Sequence, residues 1–247
     1  MPLRVFRLDD PADAPFPPAE LALDAPDGLL AVGGCLRPER LLNAYRGGIF
    51  PWFSEGEPIL WWSPSPRMVF PTDGVHLSTR FRRSLRQSRW VVRADTAFDR
   101  VIDACADTPR PGQDGTWITA GMKDAYRALH RLGFAHSIEV WDGDTLVGGL
   151  YGVAIGRMFF AESMVSLASG GSKVALAALA HHLHAWGWPL IDAQLENPHL
   201  LRMGGQRWPR DRFLAVVRSE VGQPGRPGPW TDAVGAWPAS ALAPPPR

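Results

Sequence analysis

Hydrophobic and polar positions change their rhythm along this chain, and the changes divide it. Over residues 1–65 short apolar pieces alternate with strong turn formers, as in FPP, PDGLLAVGG, GIFPWF and WWSPSP. That punctuation predicts a small irregular β-containing module. Within it, Pro38-Glu39-Arg40 followed by LLNAY predicts one short helix with Pro near its start. From Thr96 the pattern becomes regular. Residues 96–104 and 119–132 have helical spacing, the second with Thr119 as its cap and Gly133 as its stop. A meander follows: a strand over 136–141, a tight turn at Asp142-Gly143, a strand over 145–155, a turn at Gly156-Arg157 and a strand over 158–163. Residues 172–186 read as a helix with a stripe of Leu176, Leu179, Ala180 and Leu183, residues 190–194 as a strand, and 196–204 and 210–218 as short helices.

Three meandering strands, a helix and a further strand predict an α+β fold, a sheet with helices packed on it. The domain division expected is 1–65, 66–221 and a tail over 222–247. The last 26 residues hold 7 Pro and 4 Gly, which predicts a poorly ordered segment. At 247 residues the chain is long enough to bury a substantial core.

Composition adds little until it is read by segment. The net charge is only +1, from 26 basic and 25 acidic side chains, which excludes a wholly basic nucleic-acid coat protein. Residues 1–65, however, carry 5 basic and 9 acidic groups, net −4, so the remainder carries 21 and 16, net +5. Between Gly74 and Ala94 there is no acid at all, yet Arg80, Arg82, Arg83, Arg86, Arg89 and Arg93 all fall there. A solvated helix face is the plain account. Like charges at i,i+3 and i,i+4 repel, however, and a polyanion partner would remove that repulsion. Two cysteines, Cys35 and Cys105, are too few for a disulfide framework or a Cys-based zinc site. No apolar run approaches the ~18 residues that cross a bilayer, so a cytoplasmic protein without membrane contact is expected.

Several residues invite a chemical reading. Asp192 and Gln194 sit two apart on an otherwise apolar strand, on one face by period-2 geometry, and buried polar groups need partners. Either Asp192 satisfies loop amides with Gln194 paired to it, or the two form part of a site. Glu162, within FFAESM, is either half-buried and functional or paired with an Arg. If strands 158–163 and 190–194 are neighbours, Glu162, Asp192 and Gln194 converge. Ser169-Gly170-Gly171-Ser172-Lys173 opens a helix and suits a phosphate, although an ordinary capped turn explains it equally simply. His181, His182 and His184 lack a Cys or carboxylate at ligand spacing, and no metal site is expected. Trp52, Trp61, Trp62 and Trp117 fit packing, or a site for a base or an apolar side chain.

These motifs resemble bacterial leucyl/phenylalanyl-tRNA–protein transferases. The runs concerned are Pro26–Gly34, Tyr45 with Gly48–Phe53, Ile59–Pro64, Thr116–Thr119, Ala135–Trp141, Leu146–Val153, Glu162–Met164 and Leu190–Asp192, in order over about 16–216. The resemblance implies a small N-terminal domain and a C-terminal acetyltransferase-like (GNAT-like) domain. It implies transfer of Leu or Phe, sometimes Met, from aminoacyl-tRNA to the N-terminal Arg or Lys of a protein, which then enters N-degron degradation. No cofactor or metal is implied, because the aminoacyl ester is already activated, and a monomer is expected.

Carried over residue by residue, the resemblance makes Asp192, Gln194 and Glu162 catalytic. It places the transferred side chain among Leu150, Phe159, Leu176 and Ile191, and the tRNA 3′ end near Tyr45, Trp52, Trp117 and Tyr126. Arg80, Arg82, Arg83 and Arg86 correspond to the family's tRNA-facing cluster. The expected mechanism has Gln194, oriented and polarised by Asp192, accepting a hydrogen bond from the acceptor amine, while Glu162 attracts the cationic acceptor. Departures from the family pattern stand at Cys35 and Ala193, where Asp and Cys are usual, at Val165, and in the turn over 166–173; Val165 and Leu167 are expected beside the pocket. Two other readings remain open at this level: an acyl-coenzyme A N-acyltransferase, whose pyrophosphate signature is missing, and a non-catalytic tRNA-binding or N-degron adaptor.

Overall fold

The computed structural model describes residues 5–9, 11–12, 14–108 and 116–244. In chain order it contains β1 (Phe6–Leu8), β2 (Leu29–Gly33), α1 (Pro38–Arg46), β3 (Phe50–Pro51), β4 (Leu60–Trp62), β5 (Arg67–Pro71) and α2 (Thr79–Arg86). Then come β6 (Val91–Ala94), α3 (Phe98–Asp107), α4 (Ala120–Arg131), β7 (Ala135–Asp142), β8 (Thr145–Ile155), β9 (Met158–Ser166) and α5 (Gly171–Ala185). The chain closes with β10 (Leu190–Gln194), α6 (Pro198–Arg202), β11 (Gln206–Trp208), α7 (Arg210–Glu220), α8 (Thr231–Val234) and β12 (Trp237–Pro238).

Local chemistry accounts for most boundaries. Pro38 opens α1, where its missing N–H is not needed, and the Thr119 hydroxyl caps α4 by accepting from the Met122 N–H. The meander β7–β8–β9 pairs antiparallel, its turns made by Gly143 and Gly156 at φ +58°. β5, β6 and β11 are strands that the periodicity does not announce, because each is three to five residues long and recruited by its neighbours.

Among the described residues the small sheet runs β1-β2-β4-β3 and the large one β11-β5-β10-β9-β8-β7-β6-β12. Only β9 and β10 pair in parallel within the large sheet, with α5 as the crossover that such a pair requires. Alternate strand residues feed two apolar clusters. One joins Tyr151, Val153, Met158 and Phe160 to α1, α3, α4 and the small sheet. The other joins Leu150, Ala154, Phe159 and Ile191 to α5, Leu77, Leu85 and Trp230. The sheet is therefore covered on both sides, a mixed α+β fold.

The C-terminal expectation is corrected. Up to residue 244 the segment is built into the fold; residues 245–247 lie outside the described ones. β12 pairs antiparallel with the edge strand β6, Trp230 is buried, and its N–H donates to Asp95 at 2.7 Å. Proline and glycine mark a chain that cannot form a long helix, not one that cannot pack. Here a large indole and one short backbone ladder supply the burial that the count of Pro and Gly conceals.

Candidate active site

β9 and β10 stay in ladder only from Met158↔Leu190 to Phe160↔Asp192, and then part. The two strands also carry a bulge at this level. Opposite β8 the register shifts so that Glu162 is the extra residue of β9, and opposite β5 it shifts so that Ala193 is the extra residue of β10. Bulges re-aim side chains, and here they turn Glu162 and Gln194 toward each other across the opening. Gln194 also adopts φ +60°, a left-handed conformation uncommon outside glycine, and its N–H donates to the Asp192 carboxylate at 2.9 Å.

A buried hydrogen-bond chain results. The Gln194 side-chain amide donates to Glu162 at 2.7 Å, the Tyr126 hydroxyl donates to the other Glu162 oxygen at 2.5 Å, and the Tyr45 and Tyr126 hydroxyls lie 2.6 Å apart. Burial pushes the Glu162 carboxyl up to about 7; the Asp192 charge adds to this, and hydrogen bonds from Tyr126, Tyr45 and Gln194 oppose it. Burial, then the charge of Glu162, holds both tyrosines well above their ordinary value, so they remain neutral donors.

Asp192 is held from the other side. Arg67, at the head of β5, donates to both its carboxylate oxygens at 2.8 and 2.7 Å, and neither side chain is exposed. The guanidinium lies between the rings of Phe50 and Phe213, 4.7 and 4.5 Å from their centroids. Asp192 thus orients the Gln194 backbone rather than its side chain, and the partner of the side-chain amide is Glu162. The expected pairing differs because period-2 reasoning assumes an unbulged strand.

Above this chain opens a pocket of about 520 Å³ lined by Glu162, Gln194 and mainly apolar groups. Leu150 and Leu176 are among its lining residues, and so are Trp52 and Trp117. Phe159 and Ile191 are not. They are direct ladder partners, fully buried, at a level where β9 and β10 have not yet separated. Tyr45 and Tyr126 also lie behind the wall rather than in it. Val165 is buried in the opposite cluster and Leu167 is exposed, so neither departure from the family pattern falls on the lining.

Met164, Leu200, Phe50, Phe70, Leu195, Glu196 and Asn197 line the pocket without having been singled out by sequence. Arg67 was missed as well. Its signal was available in principle, since a lone Arg opening the apolar run RMVF needs a buried counter-charge, but its partner lies 125 residues away.

Arg80, Arg82, Arg83 and Arg86 all fall on α2, whose cap is the Ser78 hydroxyl. Arg80, Arg83 and Arg86 are exposed and Arg82 is half-buried. Phe81 of the same helix packs on Gly170 at the start of α5, with the Lys173 ammonium 5.6 Å from its ring centroid. The basic helix thereby adjoins the element that carries Leu176 into the pocket. The turn before α5 is an ordinary one: Ser166 accepts the Ser172 N–H, and Gly170 takes φ +93°. Of the three histidines of α5, His181 is exposed and stacks on Trp237, while His182 is half-buried beside Trp186.

Residues 69–218 match the family model described as leucyl/phenylalanyl-tRNA protein transferase, and residues 34–65 match its N-terminal domain. A curated leucyl/phenylalanyl-tRNA–protein transferase of Xanthomonas axonopodis pv. citri is 68% identical, covering 96% of this chain and 95% of the relative. That of Xanthomonas euvesicatoria pv. vesicatoria is 71% identical over 94% and 92%, and that of Xylella fastidiosa 63% over 92% and 93%. A solved structure of a functionally unknown conserved protein from Staphylococcus epidermidis is 12% identical with a TM-score of 0.41, covering 73% of this chain and 68% of that one, too loose a likeness to bear on the fold. With both family models in order along the chain and such identity over nearly its whole length, the chain belongs to the leucyl/phenylalanyl-tRNA protein transferase family.

Proposed function

We propose that the protein transfers Leu or Phe from aminoacyl-tRNA to the N-terminal Arg or Lys of an acceptor protein, and that the Gln194–Glu162 pair positions the reacting amine. The observation that carries this reading is the hydrogen bond from the Gln194 amide to Glu162 at the wall of an apolar pocket. With its NH₂ committed to Glu162, the Gln194 side chain has its carbonyl oxygen left to accept an N–H from the acceptor. The neutral α-amine forms the new C–N bond at the ester carbonyl, the C–O bond to the tRNA ribose breaks, and the amine proton passes to the departing ribose oxygen, which leaves as a hydroxyl. Gln is no strong base, so the gain is one of positioning and electrostatics.

The transferred side chain enters among Leu150, Leu176, Met164, Leu200 and Phe70. Each methylene there contributes about 1–3 kcal/mol of discrimination, which favours Leu over Val. α2 carries the phosphates of the tRNA beside this pocket. The separation of a parallel strand pair at the site supports the acetyltransferase-like reading of the larger sheet, and the tRNA substrate supports a cytoplasmic location. Marking of the product for degradation is the consequence proposed for the new N-terminal Leu or Phe.

The experiment is incubation with [14C]Leu-tRNA and a peptide beginning with Arg, which is expected to yield labelled peptide. Binding of the tRNA without labelled peptide would leave an adaptor, and acetylation of the unlabelled peptide by added acetyl-coenzyme A, with no leucine transferred, would leave an acyl-coenzyme A transferase.

A further inference from the structure

An acceptor that begins with Arg or Lys brings two positive centres, its α-amine and its side chain. Among the described residues that line the pocket, Glu162 and Glu196 are the carboxylates, and no Lys or Arg lines it. Glu162 is poorly suited to the side-chain cation. Both its oxygens already accept hydrogen bonds, and it lies where burial opposes its charge. Glu196 differs in each respect. It follows the end of β10, its side chain is 40% exposed, and its hydrogen bond from Arg207 favours the charged form. It also stands two residues from Gln194, across a bend, so their backbones lie at most about 7 Å apart. That is the span a long basic side chain covers from its own α-amine.

We infer that Glu196 receives the cationic side chain of the acceptor's N-terminal residue, and that Arg207 occupies this place until the acceptor arrives. Arg207 projects from β11, is 53% exposed, and donates through Nε and Nη2 to the two Glu196 oxygens, a forked pairing that an acceptor guanidinium reproduces. Exchange of one guanidinium for another leaves Glu196 paired throughout, and the displaced Arg207, already 53% exposed, is left to water. The inference rests on the transfer activity proposed above and deepens it by naming the residue that selects the acceptor.

The two partners of the pair then have opposite effects, which a merely structural pair would not. The experiment measures transfer from Leu-tRNA to peptides beginning with Arg and with citrulline, its neutral isostere. Glu196→Gln is expected to raise the KM for the Arg peptide about fivefold, the size of a good exposed ion pair, with the change falling on KM rather than kcat. Arg207→Ala is expected to lower that KM severalfold, because the competing cation is gone. The citrulline peptide is expected to respond to neither. A shift of KM in the same direction for both variants, or an equal response from the citrulline peptide, overturns the inference while leaving the transfer activity standing. Equal use of Arg and citrulline peptides by the unmodified protein overturns the acceptor reading itself.

Discussion

Glu162 is an acid held where water scarcely reaches it, and Glu139 on β7 is another. Both carboxyls are pushed up to about 7, first by burial; Ser137 and Thr96 donate to Glu139 and partly offset the effect. In the unfolded chain each returns to about 4.5. The unfolded state therefore loses its protons first as the pH rises, and stability that is complete below pH 4.5 declines until the pH passes about 7. Each unit in that window is worth on the order of 1 kcal/mol per group. Urea unfolding between pH 5 and 7.5 is expected to show this decline, and Glu162→Gln with Glu139→Gln to flatten it. Arg67 and Asp192 pose the complementary case. Arg67→Met leaves a buried carboxylate unpaired and is expected to cost about 3–5 kcal/mol. The double variant Arg67→Met with Asp192→Leu is expected to recover most of that stability, yet to lose transfer, because the Gln194 backbone is no longer held. Recovery of activity along with stability would show that Asp192 serves the fold alone.

At the scale of elements, two bulges and one helix shape the candidate site and its surroundings. A strand that kept strict alternation would leave Glu162 in the β8 ladder instead of as its extra residue. The bulges instead convert a sheet position into a site position, and the parting of β9 from β10 opens the pocket beside it. α2 carries no acid in its first turn and four arginines in eight residues, so its own helix energetics are poor. It is held by the Ser78 cap, by Leu85 in the core and by Phe81 on Gly170. If it makes about four phosphate contacts, the logarithm of tRNA affinity should fall against log[salt] with a slope near −3. Arg80→Ala and Arg83→Ala are each expected to reduce that slope by about 1. Arg82→Ala, removing a half-buried side chain, is expected to act more on thermal stability. Filter binding across a salt series distinguishes these outcomes.

For the molecule as a whole, the C-terminal segment acts as a strap. It crosses the α5 side of the large sheet, stacks Trp230 on His136 at 3.8 Å between ring centroids, adds β12 to β6, and accepts from Arg86 of α2 at the Ala243 carbonyl. Trp230→Ala is expected to cost about 3–5 kcal/mol. Because the strap also braces the basic helix, the same variant is expected to weaken tRNA binding without changing the side-chain preference of the pocket. Thermal unfolding and transfer from Leu-tRNA against Phe-tRNA, measured together, check both halves of this statement.

The residue pattern by itself determined the meander, α4 with its cap and stop, the helix between β9 and β10, and the family. Each of these is written in neighbouring residues: a two-residue turn, a threonine before an apolar stripe, an unusual run such as GIFPWF. It also singled out Glu162, Asp192 and Gln194, because a polar group on an apolar strand is conspicuous wherever the strand ends up. Their partners were not legible. The Arg67–Asp192 pair closes over 125 residues, the tyrosines reach Glu162 from α1 and α4, and the last segment packs through Trp230 and a pairing with β6. Pairing across such distances depends on where strands separate and where a register slips by one residue, and no local pattern encodes either. The sequence singled out the candidate polar groups, and the tertiary structure decided which of them hold each other and which line the pocket.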